Sequence, residues 1–140
     1  MGLIITDVGC EMVLGAYFNN TWPGAGKNLT IHLNSNNVSP SDTDTAGTYT
    51  ETTVTGGAAK TLTNGSWTVS ITGNISQVLY AQQTWTFTAN FGDTIYGYYV
   101  LDADSNLVWA EKLAAAFTPA NNGDQLLITP KFQMSKGTPT

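Results

Sequence analysis

The chain has 140 residues, one cysteine and a formal charge of −5, with charged residues at only 11%. That length accommodates one domain able to remove about two thirds of its unfolded surface from water. Cys10 has no cysteine to pair with inside the chain, so no intramolecular disulfide staples the fold. The five lysines (Lys27, Lys60, Lys112, Lys131, Lys136) are scattered and arginine is absent, which disfavours nucleic acid, since phosphate neutralisation needs clustered cations.

No cationic stretch followed by an apolar one opens the sequence, and no apolar run approaches the roughly 20 residues that cross a bilayer, so a soluble protein with no membrane partner is expected. Leu3, Ile4 and Ile5 form a short strand or arm within residues 1–6. Thr6-Asp7 can cap a short helix running through Glu11, Met12, Val13, Leu14 and Tyr17, although Gly9 and Gly15 weaken it. A loop holding Trp22-Pro23-Gly24 follows.

The period then changes to two. Leu29, Ile31 and Leu33 alternate with Thr30, His32 and Asn34, which predicts a strand with one buried face. Residues 35–57 read as a long loop with one short strand around Tyr49 to Val54, and long loops in compact domains tend to be functional or mobile. Ala58 to Thr63, Asn64-Gly65 and Ser66 to Thr72 predict a hairpin, because Asn-Gly accepts the positive φ angles of a type I′ turn. Trp67, Val69 and Ile71 share one of its faces. Thr84 to Ala89 alternates cleanly and stops at Phe91-Gly92-Asp93. Thr94 to Leu101 is apolar on both faces, which predicts a central strand or one that faces a partner. Asp102 to Asn106 turns the chain into Leu107 to Lys112. Gln125 to Gln133 closes the domain with Leu126, Ile128 and Phe132 inward, and residues 135–140 form a tail. About seven turn-punctuated strands without intervening helices select an all-β, antiparallel β-sandwich, Ig-like or jelly-roll-like, with one short N-terminal helix, as a single domain over 1–140.

Candidate chemistry is sparse. His32 is the one histidine, on the polar face of a strand, and no Gly-x-Ser-x-Gly elbow accompanies it. The pairs Asp42/Asp44 and Asp102/Asp104 have spacings that a glycosidase could use, yet both sit in turn-like segments where Asp accepts backbone N–H bonds. Asp102 to Asn106 imitates the first half of a calcium loop but lacks the later glycine and glutamate, Leu113 standing at the twelfth place. No metal, no cofactor and no catalytic residue is therefore assigned. Met1-Gly2 with Thr6 matches a myristoylation pattern, and Asn19, Asn28, Asn37, Asn64 and Asn74 begin sequons; composition accounts for most of these matches. Trp67, Trp85, Phe87, Tyr96, Tyr98, Tyr99 and Trp109 could stack on sugars, although at strand spacing core or subunit interface is the commoner use.

Several segments resemble a family of small virion proteins of tailed bacteriophages: Ile5 to Gly9, Leu29 to Asn37 running into Pro40 to Thr45, Lys60-Thr61-Leu62 with Gly65 to Thr68, Gln83 to Phe87, Tyr96 to Val100, Leu107 to Glu111, and Asn122-Gly123-Asp124 before Ile128 to Lys131. The resemblance runs from about Ile4 to Phe132 and contains no catalytic signature, while Cys10 and the Trp22 loop fall outside it. It implies a capsid decoration or cement protein on the virion surface, with the major capsid protein as partner. Closed symmetry around a three-fold junction makes a homotrimer natural. Leu3, Ile4, Ile5, Tyr49, Tyr96, Tyr98 and Val100 are the expected oligomer or capsid contacts. The alternative is a tail or fibre component whose β-sandwich binds glycans through Trp22, Trp67, Trp85 and Trp109.

Overall fold

The computed structural model describes residues 28–135 together with Leu14, Gly15 and Phe18. The described chain is predominantly β, and every strand pair is antiparallel. It contains nine strands: β1 (Leu29–Asn34), β2 (Lys60–Leu62), β3 (Thr68–Thr72), β4 (Ile75–Leu79), β5 (Gln83–Thr86), β6 (Ile95–Leu101), β7 (Leu107–Phe117), β8 (Gln125–Ile128) and β9 (Lys131–Ser135). A single 3-10 turn lies at Ala46–Thr48. Of the helix expected from Thr6 to Tyr17, only Leu14 and Gly15 fall among the described residues, where they and Phe18 are helical. The rest lies outside them, and no helix of seven or more residues supports that expectation. The arm at 1–6, the Trp22 loop and residues 136–140 also lie outside, whereas Ser135, expected to open the tail, closes β9.

The chain divides into two compact units, each discontinuous in sequence. The larger holds residues 28–62 and 83–128. Its four-stranded sheet has the order β2-β1-β6-β7, and β5 and β8 form a separate ribbon. Leu29, Ile31 and Leu33 are buried as their alternation requires. Opposite them in register, Val100 faces Ile31 and Tyr98 faces Leu33. β6 pairs at both edges, with β1 and β7, and side chains from both of its faces are buried, Tyr98 and Val100 on one and Ile95 and Tyr99 on the other, which explains its near-continuous apolar run. Burial of each such aliphatic side chain contributes about 1.5–3 kcal/mol. Trp85 and Phe87 are also fully buried. The Trp85 indole donates to the Ala58 carbonyl at 2.9 Å, with the Lys60 ammonium 5.5 Å from its ring centre.

Gly97 is a position where only glycine fits. A Cβ there would lie 2.3 Å from the Glu111 carbonyl oxygen and 2.8 Å from Asn34 Oδ1. Beside it the ladder is irregular: Ile95 faces Phe117 but Gly97 faces Lys112, so residues 113–116 have no register partner on β6.

The smaller unit contains the described residues 63–82 and 129–135 with Leu14, Gly15 and Phe18. Its sheet has the order β3-β4-β9, and Phe18 packs on Trp67 edge to face, with ring centres 4.7 Å apart. Two of the sequence expectations are corrected here. Asn64-Gly65 makes a turn, with Gly65 at φ 82°, but it does not close a hairpin, because β2 pairs with β1 and β3 pairs with β4. The turn instead grips the Phe18 carbonyl, which accepts from Asn64 Nδ2 at 2.8 Å and from the Gly65 N–H at 3.2 Å. The hairpin is β3–β4, around Gly73 at φ 59°. Likewise Gln125 to Gln133 is two strands, since β8 pairs with β5 and β9 pairs with β4. Pro130, which has no N–H to give a ladder, stands at the break.

Candidate functional site

The side chains with chemical potential gather on the larger unit, on and beside the β1–β6–β7 part of its sheet. Residues 35–57 fold back onto β1: Ser35 donates to the Thr50 carbonyl, Thr52 donates to the Leu33 carbonyl, and Asn34 bridges Glu51. This return sets Tyr49 parallel to Tyr99 at 5.2 Å, and Tyr99 parallel to His32 at 5.0 Å. The result is a column of three rings with a carboxylate at each end. Glu51 Oε1 is 3.1 Å from His32 Nδ1, and the Tyr49 hydroxyl donates to Asp44 at 2.6 Å.

The other imidazole nitrogen of His32, Nε2, lies 3.1 Å from the Thr30 hydroxyl, so Thr30, His32 and Glu51 share the connectivity of a nucleophile, a base and its orienter. The setting does not suit acyl transfer. Thr30 is paired on both sides, with Thr61 of β2 and Leu101 of β6, so the neighbouring amides belong to ladders and offer no pair of donors for an oxyanion. Imidazole stacked on Tyr99 is also 84% covered, and the cleft described below does not reach it.

Four aspartates are engaged in structural hydrogen bonds, three of them within their own loops. Asp44 accepts from the Tyr49 hydroxyl and the Ser41 N–H, and these two bonds, in that order, hold its carboxyl below the usual range. Asp102 accepts from the N–H groups of Asp104 and Asn106 and from the Asn106 amide, all between 2.9 and 3.0 Å. Asp124 accepts from the N–H groups of Ala120 and Asn121, which likewise lower it. Asp93 accepts from Thr52 Oγ1 and the Thr53 N–H. Three tyrosines are pushed upward: burial is the main cause at Tyr49, Tyr98 and Tyr99, reinforced by Asp44, Glu111 and Glu51 respectively. Among the described residues, no group of three or more His, Cys, Asp and Glu side chains is placed to hold a metal ion.

The expected contact residues fare unevenly. Val100 and Tyr98 are 0% and 2% exposed, and Tyr99 on the opposite face is 5% exposed, so the apolarity of β6 reflects burial within the chain itself and not a surface for a partner. Tyr49 is buried by its stack on Tyr99, and only Tyr96 is half-exposed. Leu3, Ile4 and Ile5 lie outside the described residues. Of the tryptophans proposed for sugar stacking, Trp67 and Trp85 are core residues at 5% and 1% exposure, and Trp22 lies outside the described residues. Trp109 is half-buried and lines a cleft of about 270 Å³. One wall of that cleft is Pro40, Ser41, Asp42, Asp44 and Tyr49; the other is four successive residues of β7, Leu107 to Ala110. Period-two reading places Thr30 beside His32, but Glu51 and the cleft arise from the fold of residues 35–57, which carries no periodic signal.

No protein-family model matches the chain, and comparison with the curated proteins and with the solved structures returned no match.

Proposed function

We propose that this chain is a non-enzymatic structural protein of a tailed-phage virion, a decoration or cement protein that binds the outside of the major capsid lattice. In this reading the fold is a β-sandwich of Ig-like or jelly-roll-like type, and the working unit is a homotrimer. The observation that carries the non-enzymatic part is the engagement of the carboxylates in structural hydrogen bonds: Asp44, Asp102 and Asp124 brace their own turns, and Asp93 ties the loop after Phe91 to Thr52 and Thr53. Carboxylates held this way make loops rigid, which suits a protein loaded by pressure from within a shell. The virion assignment rests on the family resemblance and on a surface poor in charge and rich in Thr and Asn. Contact with the lattice falls to the exposed segment Ser39 to Thr43 and to Tyr96, since Tyr98 and Val100 are enclosed.

Quantitative mass spectrometry of gradient-purified virions tests this directly. Copy numbers similar to the major capsid protein are expected. A small fraction of that number would transfer the protein to the tail or a fibre, and absence from the particle would end the virion reading.

A further inference from the structure

The cleft between residues 40–49 and β7 has a composition that selects its occupant. It carries the carboxylates of Asp42 and Asp44 and no basic side chain, so an anion is excluded. Asp44 already accepts two hydrogen bonds, while Asp42 is exposed and receives one at 3.3 Å from the Ser41 hydroxyl. The opposite wall is the outer edge of a sheet. Among the described strands only β6 pairs with β7, so alternate residues of β7 turn their N–H and C=O groups away from that pairing. A ligand seated there meets carboxylate acceptors on one side and main-chain donors and acceptors on the other. Two aromatic residues, Tyr49 and Trp109, contribute apolar surface to the same space.

An organic ammonium ion satisfies the carboxylates but has nothing to offer the main-chain N–H groups, because it only donates. A hydroxyl both donates and accepts. A sugar ring carries several hydroxyls around its rim and an apolar C–H face, and it therefore matches both walls at once. The volume, about 270 Å³, lies just under the usual lower bound for ligand pockets, about 300 Å³, which suits one or two sugar units rather than a long chain.

We propose that the cleft formed by Asp42, Asp44, Tyr49, Trp109 and the outer edge of β7 binds a neutral saccharide, with Asp42 accepting from ring hydroxyls. This goes beyond the virion role and stands independently of it: a decoration protein with this cleft would present a sugar-binding site on the particle.

The test is amide chemical-shift mapping on the full chain with D-glucose, D-galactose, D-mannose and N-acetyl-D-glucosamine, each titrated into the millimolar range. N-acetylneuraminic acid serves as the anionic probe and n-butylammonium chloride as the ammonium probe. At least one neutral sugar is expected to shift amides within residues 41–49 and 107–110, with the anionic sugar leaving them unmoved. Asp42→Ala, which removes an exposed side chain and leaves the Tyr49–Asp44 bond intact, is expected to weaken that binding about tenfold, as loss of one charge-assisted hydrogen bond implies. The proposal is overturned if no neutral sugar moves these amides, if only the ammonium ion does, or if Asp42→Ala binds as the parent does. Virion copy number is unaffected by any of these results, so the two proposals fail separately.

Discussion

Tyr98 links two strands through its side chain as well as through the backbone. It is 2% exposed, and its hydroxyl donates to Glu111 Oε2 at 2.5 Å across the β6–β7 pair. Tyr98→Phe keeps the ring and removes this bond. Hydrogen bonds to a charged acceptor contribute about 1.5–3 kcal/mol, and the exposure of Glu111 puts this one at the lower end, about 1.5 kcal/mol. With a urea m-value of about 2 kcal/mol per molar, the unfolding midpoint should fall by about 0.7 M near neutral pH. The pH dependence supplies the sharper check. Burial and Glu111 raise the Tyr98 hydroxyl above its ordinary value, so the stability it contributes is fully present below the unfolded tyrosine value, about 10, and is lost as pH rises beyond it. At about pH 11 the unfolded parent gains about 1.4 kcal/mol from ionising this one tyrosine, which Phe cannot do. The gap between parent and variant should therefore nearly close. A gap that is the same at about pH 8 and about pH 11, or absent at both, would refute the reasoning.

Gly97→Ala forces a methyl against the Glu111 carbonyl oxygen and should cost about 3 kcal/mol, lowering Tm by about 10 °C, whereas Gly47→Ala, whose Cβ would meet nothing nearer than 3.7 Å, should stay within about 0.5 kcal/mol of the parent by the same calorimetry. Asp44 and Asp124 sit below the usual carboxylate range, so the stability they contribute is present above about pH 4 and is lost as pH falls; Tyr49→Phe, which removes the larger cause at Asp44, should lessen that acid sensitivity in a circular-dichroism titration. Hydrolysis of p-nitrophenyl acetate should be no different in Thr30→Val than in the parent, since the Thr30, His32 and Glu51 arrangement lacks oxyanion donors; a rate that falls at least tenfold would restore an enzymatic reading. Calcium should leave the melting temperature unchanged, because both Asp102 oxygens already hold the turn that would have to open to bind it.

What the sequence made legible was local. Leu29, Ile31 and Leu33 announce β1 because a strand with one buried face needs that alternation, and the doubly apolar β6 announces a strand covered on both sides. Asn64-Gly65 is legible as a turn, since the φ of Gly65 is a property of the dipeptide, but the sheets that its flanking strands join depend on residues far away in sequence. The same reason hid the break at Pro130, although a proline inside a run of strand character is a warning. Tyr98 and Val100 look alike from sequence whether the chain's own core or a neighbouring molecule covers them, and the fold decided for the core. The cleft was invisible because its walls come from residues 40–49 and 107–110, which only the returning loop brings together.

The interleaving of the two units bears on when this protein can fold. The chain crosses between the units before Asn28, after Leu62, after Gln82 and after Ile128, and the central strand of the smaller sheet, β4, waits for β9 as its second neighbour. A ribosome that has produced β4 must still translate five more strands before that sheet is whole. The larger unit is complete in sequence at Ile128, but the smaller one waits for β9, and contacts of such sequence separation form slowly. Timing of assembly on the smaller unit then follows translation of β9: a partner that recognises its folded surface meets no finished sheet on a nascent polypeptide that lacks that strand.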